Sequence, residues 1–232
     1  MNNQHKTIHP RIVAQILFLV VLMPLLPLLT SWHWDWWEAW VYAIISILGY
    51  AISRMLAVRR HPDLMAERVG LMHHENDKPW DRLLVPLVGL GFGLVLLVAG
   101  LDALFGWSPP FSLPTKILSL VIILAGNVLG SYALLENRFF SFMVRIQTER
   151  GHQVVSSGPY RWVRHPGYAG ALLVYLTTPV FLDSRWAFLP AVFLMVVLVI
   201  RTALEDRVLQ DELAGYGDYA RRVRYRLLPG VW

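Results

Sequence analysis

Long apolar runs broken by short polar or proline-bearing stretches dominate the first 135 residues, and their lengths match a lipid bilayer rather than a soluble core. Ile12 to Leu29 carries 18 residues without a charge. The aromatic cluster Ser31-Trp-His-Trp-Asp-Trp-Trp37 follows it in place of a small-residue cleavage site, so the run predicts a retained membrane helix, softened by Pro24 and Pro27, that ends at headgroup level. Further runs cover about Ala39 to Leu56, Leu83 to Phe105 and Thr115 to Leu135, with a long polar loop at Ala57–Asp81 and a break at Pro109-Pro110. Within the third run, Gly89-Leu-Gly-Phe-Gly93 has no strand before it, so it reads as a Gly-x-x-x-Gly site of close helix approach rather than a nucleotide loop.

The pattern changes after Leu135. Glu136 to His165 is polar, and its centre, Phe139-Phe-Ser-Phe-Met-Val-Arg-Ile146, mixes alternating and helical character and is expected to lie along the membrane interface. Tyr168 to Leu182 is short for a span, roughly 22 Å as helix against a hydrocarbon core of about 30 Å. Asp183-Ser-Arg185 separates it from Trp186 to Ala203, so the two predict a tight hairpin. The expected fold is therefore an all-α integral membrane protein of about six membrane segments, the last two a short helical hairpin. Residues 1–135 form an N-terminal transmembrane region with loop 57–82, and residues 136–232 a region that carries the chemistry.

Composition supports this class: of 232 residues, 56% are hydrophobic and 16% charged, against about a quarter charged in soluble domains. There is no cysteine, which excludes disulfides, a thiolate nucleophile and Cys-ligated metal. Net charge is +5, but no basic patch lies on a soluble module, so contact with anionic lipid accounts for it better than nucleic acid. The histidines of His61-Pro-Asp and His73-His74 lack ligand spacing and read as surface residues, not a metal site. With the N-terminus inside, six segments leave only Lys116 and Arg185 outside among 21 Lys and Arg. That positive-inside bias predicts a cytoplasmic N-terminus, in a bacterial-type inner membrane, with residues 136–165 and the C-terminal tail on the same cytoplasmic face.

Three polar constellations then fall on one face. Gly158-Pro-Tyr-Arg-Trp-Val-Arg-His-Pro-Gly-Tyr-Ala-Gly170 brings two Arg, a His and two Tyr to the start of a helix whose Pro166 suits its first turn. The free N–H groups and dipole of such a helix end can bind a carboxylate, although Arg and Tyr that merely anchor a loop give the same pattern. Arg201, Glu205 and Asp206 close the last apolar helix. Arg201 and Glu205 share a helical face as an ion pair or as part of a site, since charge near membrane depth is costly. Acids here suit a ribose or a sulfonium. In the tail, Tyr216 and Tyr219 are three apart and Arg221 to Arg226 follow, a basic surface helix except that Pro229-Gly-Val-Trp232 is shaped to turn back.

At these residues the chain resembles the isoprenylcysteine carboxyl methyltransferase family, with the membrane phospholipid N-methyltransferases as wider relatives. The residues that carry the resemblance are Gly158-Pro-Tyr160, Arg164-His-Pro-Gly-Tyr-Ala-Gly170, Glu205-Asp206 and Gly215-Tyr…Tyr219…Arg222-Val…Pro229. It covers about 137–232 closely and extends weakly to Pro62–Arg68 and Lys78–Arg82. Sterol reductases of membranes share a block like Arg-His-Pro-x-Tyr. The resemblance implies S-adenosylmethionine as cofactor, a lipid or lipidated acceptor entering laterally, no metal, and a cytoplasmic cofactor pocket formed by the motif loop and the tail. It places Tyr160, His165, Tyr168, Gly170, Glu205 and Tyr219 at the cofactor, and Arg164, Arg201 and Glu205 in catalysis. Asp206 stands where many members carry a second Glu. The alternatives it leaves are a phospholipid amine N-methyltransferase, a sterol-reductase-like enzyme using NADPH and a non-catalytic membrane protein. The residues do not specify the acceptor or the oligomeric state.

Overall fold

A computed structural model describes residues 17–62 and 77–232. Within them the chain is helical and irregular, with no strand. Seven helices follow in order: α1 (Phe18–Ser31), α2 (Trp37–Arg60), α3 (Asp81–Phe105), α4 (Leu113–Glu136), α5 (Pro166–Phe181), α6 (Phe188–Glu212) and α7 (Tyr216–Arg222). Four of them, α2, α3, α4 and α6, are long and apolar enough to cross a membrane, and the protein is an integral membrane protein. The described part of α1 is shorter, and α5 has only 16 residues. The six apolar runs are helical where described, and among the described residues four of the helices have full spanning length. His73-His74 and most of the 57–82 loop lie outside the described residues, and α2 runs on to Arg60, past the expected loop start at Ala57.

Local chemistry sets the helix ends. Pro24 and Pro27 remove two N–H donors from α1, whose opening turn, Phe18–Leu22, is π-helical. Trp32, in the left-handed region at φ 58°, ends the helix by donating its N–H to Leu28 O at 3.1 Å. Ser112 caps α4, its Oγ accepting from the Thr115 N–H, with Pro114 in the first turn.

Neighbouring helices pack in a closed order, α1–α2–α4–α5–α6–α3 and back to α1, with α3 also touching α5. Tyr42, Leu28, Val95, Leu96, Ile123, Phe181 and Leu182 form the main core at one end. That end holds the C-termini of α1, α3 and α5 and the N-termini of α2, α4 and α6. There buried Lys116 donates to Glu38 at 2.5 Å and pairs with Asp183, which ties α2, α4 and the α5–α6 turn together. Exposed Trp32, Trp34, Trp37, Trp107 and Trp186 ring the same end, as expected of a membrane–water interface.

Glycines decide two crossings. A Cβ on Gly170 would lie 2.5 Å from Gly126 O and 2.9 Å from Gly130 N, so α4 and α5 touch backbone to backbone. A Cβ on Gly100 would overlap Thr30 Oγ1 and approach Pro27 O to 2.9 Å, which sets α3 against α1. In the sequence-predicted Gly-x-x-x-Gly, the middle residue does the work. Gly91 faces Leu194 of α6 at 3.3 Å, while Gly89 meets nothing within 4 Å. Gly170→Ala is therefore expected to destabilise the protein by about 1–3 kcal/mol through overpacking. Thermal unfolding in detergent checks it; an unchanged midpoint with weakened ligand binding would instead put Gly170 at a ligand.

Candidate functional site

Opposite the tryptophan ring, the starts of α3 and α5 meet the ends of α4 and α6. Pro166 opens α5, and His165 before it, at φ −125° and ψ 63°, stays out of the helical region, which a following proline disfavours. The Arg164-His165 dipeptide pairs with the tail: Arg164 N–H donates to Tyr225 O and His165 N–H to Arg226 O, both at 2.9 Å. The expected meeting of motif and tail is present in the structure.

Asp206 lies at the centre, fully buried. Arg164 grips it with two parallel bonds, Nε to Oδ1 at 2.7 Å and Nη2 to Oδ2 at 2.9 Å. Tyr216 OH donates to Oδ1 at 2.9 Å, Arg226 Nε to Oδ2 at 2.8 Å and Gln210 Nε2 to Oδ2 at 2.8 Å. His165 Nε2 stands 3.3 Å from Oδ1. The shorter acid of the pair thus holds the fold of the site together.

Glu205 is placed differently. Its side chain is 23% exposed; it accepts from Tyr168 OH at 2.5 Å, and its other oxygen lies 4.0 Å from His165 Nδ1. The imidazole of His165 stacks on the Tyr168 ring, centroids 5.8 Å apart and 11° from parallel. His165 therefore sits between the two acids, with Glu205, Tyr168 and the imidazole forming one half-buried group.

Arg201, expected beside Glu205, is bound elsewhere. It forks onto Asp81 at the start of α3, Nε to Oδ1 at 2.7 Å and Nη2 to Oδ2 at 2.9 Å, and donates to Phe142 O at 2.8 Å. Its guanidinium also lies over the Tyr168 ring, 5.3 Å from the centroid. Asp81 is fully buried and accepts a third bond from Val144 N–H at 2.7 Å. The 139–146 segment, expected to mix alternating and helical character, is irregular chain pinned to α3 and α6. Arg164 is likewise committed to Asp206 and to Val223 O and Arg224 O. Protein partners thus take up most of the donors of Arg164 and Arg201, the two arginines that the resemblance places in catalysis.

The remaining expected residues are aromatic. Tyr160, 6% exposed, receives Asn137 Nδ2 on its hydroxyl at 3.3 Å, and its main-chain carbonyl accepts from Tyr219 OH at 2.7 Å. Burial pushes the Tyr160, Tyr216 and Tyr219 phenols above their ordinary range, so all three stay protonated at neutral pH. Tyr216 and Tyr219 share the inner face of α7, as their spacing of three predicts. Gly170 faces α4. Sequence reasoning missed Asp81, Gln210 and Arg226; the available signal for Asp81 was a lone acid at the mouth of an apolar run. Among the described residues, no group of three His, Asp or Glu is placed to hold a metal ion.

Residues 118–211, from α4 through α6 and including Arg164, His165, Tyr168, Arg201 and both acids, match the isoprenylcysteine carboxyl methyltransferase (ICMT) family. This region of the chain is similar to that family. A probable protein-S-isoprenylcysteine O-methyltransferase of Oryza sativa subsp. indica is 30% identical over 112 residues, 45% of this chain and 56% of the relative. Protein-S-isoprenylcysteine O-methyltransferase B of Arabidopsis thaliana is 32% identical over 109 residues, 45% of this chain and 54% of the relative. The chain thus spans little more than half the length of these curated methyltransferases. A Delta(14)-sterol reductase of Mus musculus is 33% identical over 90 residues, 38% of this chain and 22% of the relative.

Proposed function

We propose that the protein is a membrane methyltransferase that moves a methyl group from S-adenosylmethionine to a lipid-like acceptor, an isoprenylcysteine carboxylate in the first instance. The family match across residues 118–211 carries this reading. The side chains suit the cofactor: Glu205 keeps a partly exposed carboxylate with acceptor capacity for ribose hydroxyls, beside two flat rings. The dipole end of α5 at Pro166–Tyr168 favours an anionic group. Tyr160, His165, Tyr168, Glu205 and Tyr219 are the residues that would hold it. When bound, S-adenosylmethionine supplies an electrophilic methyl on a sulfonium.

The chain then has little chemistry of its own to perform. A carboxylate acceptor is already nucleophilic near neutral pH, so Glu205, His165 and Tyr168 need only orient groups and present charge. An amine acceptor must lose a proton, which Glu205 or His165 would accept. The cytoplasmic orientation of this end is supported by the Lys and Arg bias along the chain.

The decisive experiment offers labelled methyl donor with a farnesylated cysteine and, separately, with phospholipid extract. Label in the farnesylated cysteine is the expected result; label in phospholipid alone moves the acceptor to an amine, and none in either rejects the reading. The match to a sterol reductase supports one second reading, an NADPH-dependent reductase. Calorimetric titration separates them: S-adenosylmethionine is expected to bind and NADPH not, and the reverse establishes the reductase. Saturation with S-adenosylhomocysteine at a hundred times its Kd is expected to add about 2.7 kcal/mol of stability.

A further inference from the structure

The tail from Leu213 to Trp232 packs against the site in two apolar clusters, and much of its hydrogen bonding to the motif passes through Arg164 and Asp206. Four consecutive carbonyls of the tail are taken by the motif: Val223 and Arg224 accept from Arg164 Nη1, both at 2.8 Å, and Tyr225 and Arg226 accept from the Arg164 and His165 N–H groups. Beneath them, buried Asp206 is the one carboxylate between the Arg164 and Arg226 guanidiniums. Past Gly230, at φ 81°, the chain turns back, so that Trp232 O accepts from the Arg226 and Leu227 N–H groups. Trp232 then packs in one apolar cluster with Tyr168, Leu172 and Leu198, and Arg226 lies over its ring at 4.8 Å.

We propose that Arg164 and Asp206 are positioning residues, a buried latch that docks the C-terminal tail onto the α5 motif and so fixes His165 and Tyr168 beside Glu205. Neither touches a reacting group in this assignment. Removing the Asp206 charge leaves two guanidiniums facing one another across a buried site, which drives the tail off. Arg164 serves through shape as much as charge. It engages four of its five N–H donors in a planar fork that spans the carboxylate and two carbonyls, and a lysine ammonium cannot reproduce that spread. Arg226 makes a single bond to Asp206, which a lysine can replace.

Tail docking can be read directly because the chain has no cysteine. Leu227, 3% exposed within the docked tail, is replaced to give the single-thiol variant L227C. In detergent the L227C thiol is expected to resist maleimide, and addition of Arg164→Lys or Asp206→Asn to raise its labelling rate about tenfold or more. Arg226→Lys is expected to leave it protected. S-adenosylhomocysteine affinity should fall about tenfold in Arg164→Lys and Asp206→Asn and not in Arg226→Lys, a readout that rests on the methyltransferase reading, whereas thiol exposure does not. A protected thiol and unchanged S-adenosylhomocysteine affinity in Arg164→Lys, with turnover lost, would overturn the latch and return Arg164 to the reacting group. An exposed thiol in Arg164→Lys, with no S-adenosylhomocysteine bound even by the parent chain, supports the latch and rejects the methyltransferase reading instead.

Discussion

Glu205→Gln is expected to lower methyl transfer about a hundredfold or more while moving the melting temperature by less than about 4 °C. The two acids at the end of α6 differ in what surrounds them, and this difference sets the expectation. Asp206 is fully buried under Arg, Tyr and Gln donors, whereas Glu205 is 23% exposed and bonds one phenol. A glutamine keeps the oxygen that accepts from Tyr168 and loses the charge. A partly exposed charge of this kind stabilises the fold by less than about 1 kcal/mol, so folding is nearly indifferent to it. Presented toward a sulfonium or ribose in a site shielded by the tail, the same charge is worth far more. Initial rates with labelled donor, taken beside thermal unfolding, check both halves. A wild-type rate would reduce Glu205 to a tether for Tyr168, and a collapsed melting temperature would make it part of the scaffold.

Much of the architecture was legible because a bilayer demands long uninterrupted apolar runs, and these are visible in any window of the chain. The α5–α6 hairpin was legible from the short run before Asp183-Ser-Arg185, and the meeting of motif and tail from the charge bias that put both at one end. Tyr216 and Tyr219 were legible as one buried face from their spacing alone. What failed was partner choice. Arg201 and Glu205 are four apart, and helical geometry permits their pairing, yet Arg201 binds Asp81 from 120 residues away. Spacing along one helix gives the options within that helix and nothing about which other helix brings a better acceptor. Gly170 is ambiguous for a related reason: absence of a side chain serves a ligand or a neighbouring backbone equally well, and in the structure its Cβ direction faces the α4 backbone. The order of the two acids carried no signal either. Asp206 takes the deep place because its short side chain lets the Arg164 fork, Tyr216 and Arg226 converge, while Glu205 has the reach to stand half exposed.

The largest effect on folding is expected at Asp81→Asn, a residue outside the 118–211 family match. Asp81 accepts from Arg201 Nε and Nη2 and from Val144 N–H, at 2.7–2.9 Å, with no exposure to water. An asparagine turns one acceptor oxygen into an NH2 donor that faces these same donors, and leaves the 8% exposed Arg201 guanidinium without its counter-charge. Breaking a buried pair from one side costs about 3–5 kcal/mol, which corresponds to a fall in melting temperature of about 6–20 °C. The double variant Asp81→Asn with Arg201→Met removes the stranded charge and is expected to recover a large part of that loss, since an apolar replacement of a buried pair is often nearly neutral. Thermal unfolding of both single variants and the double variant closes the cycle. Additive losses, with no recovery, would mean that Arg201 is held by its contacts with Phe142 O and the Tyr168 ring and that the α3–α6 ion pair contributes little.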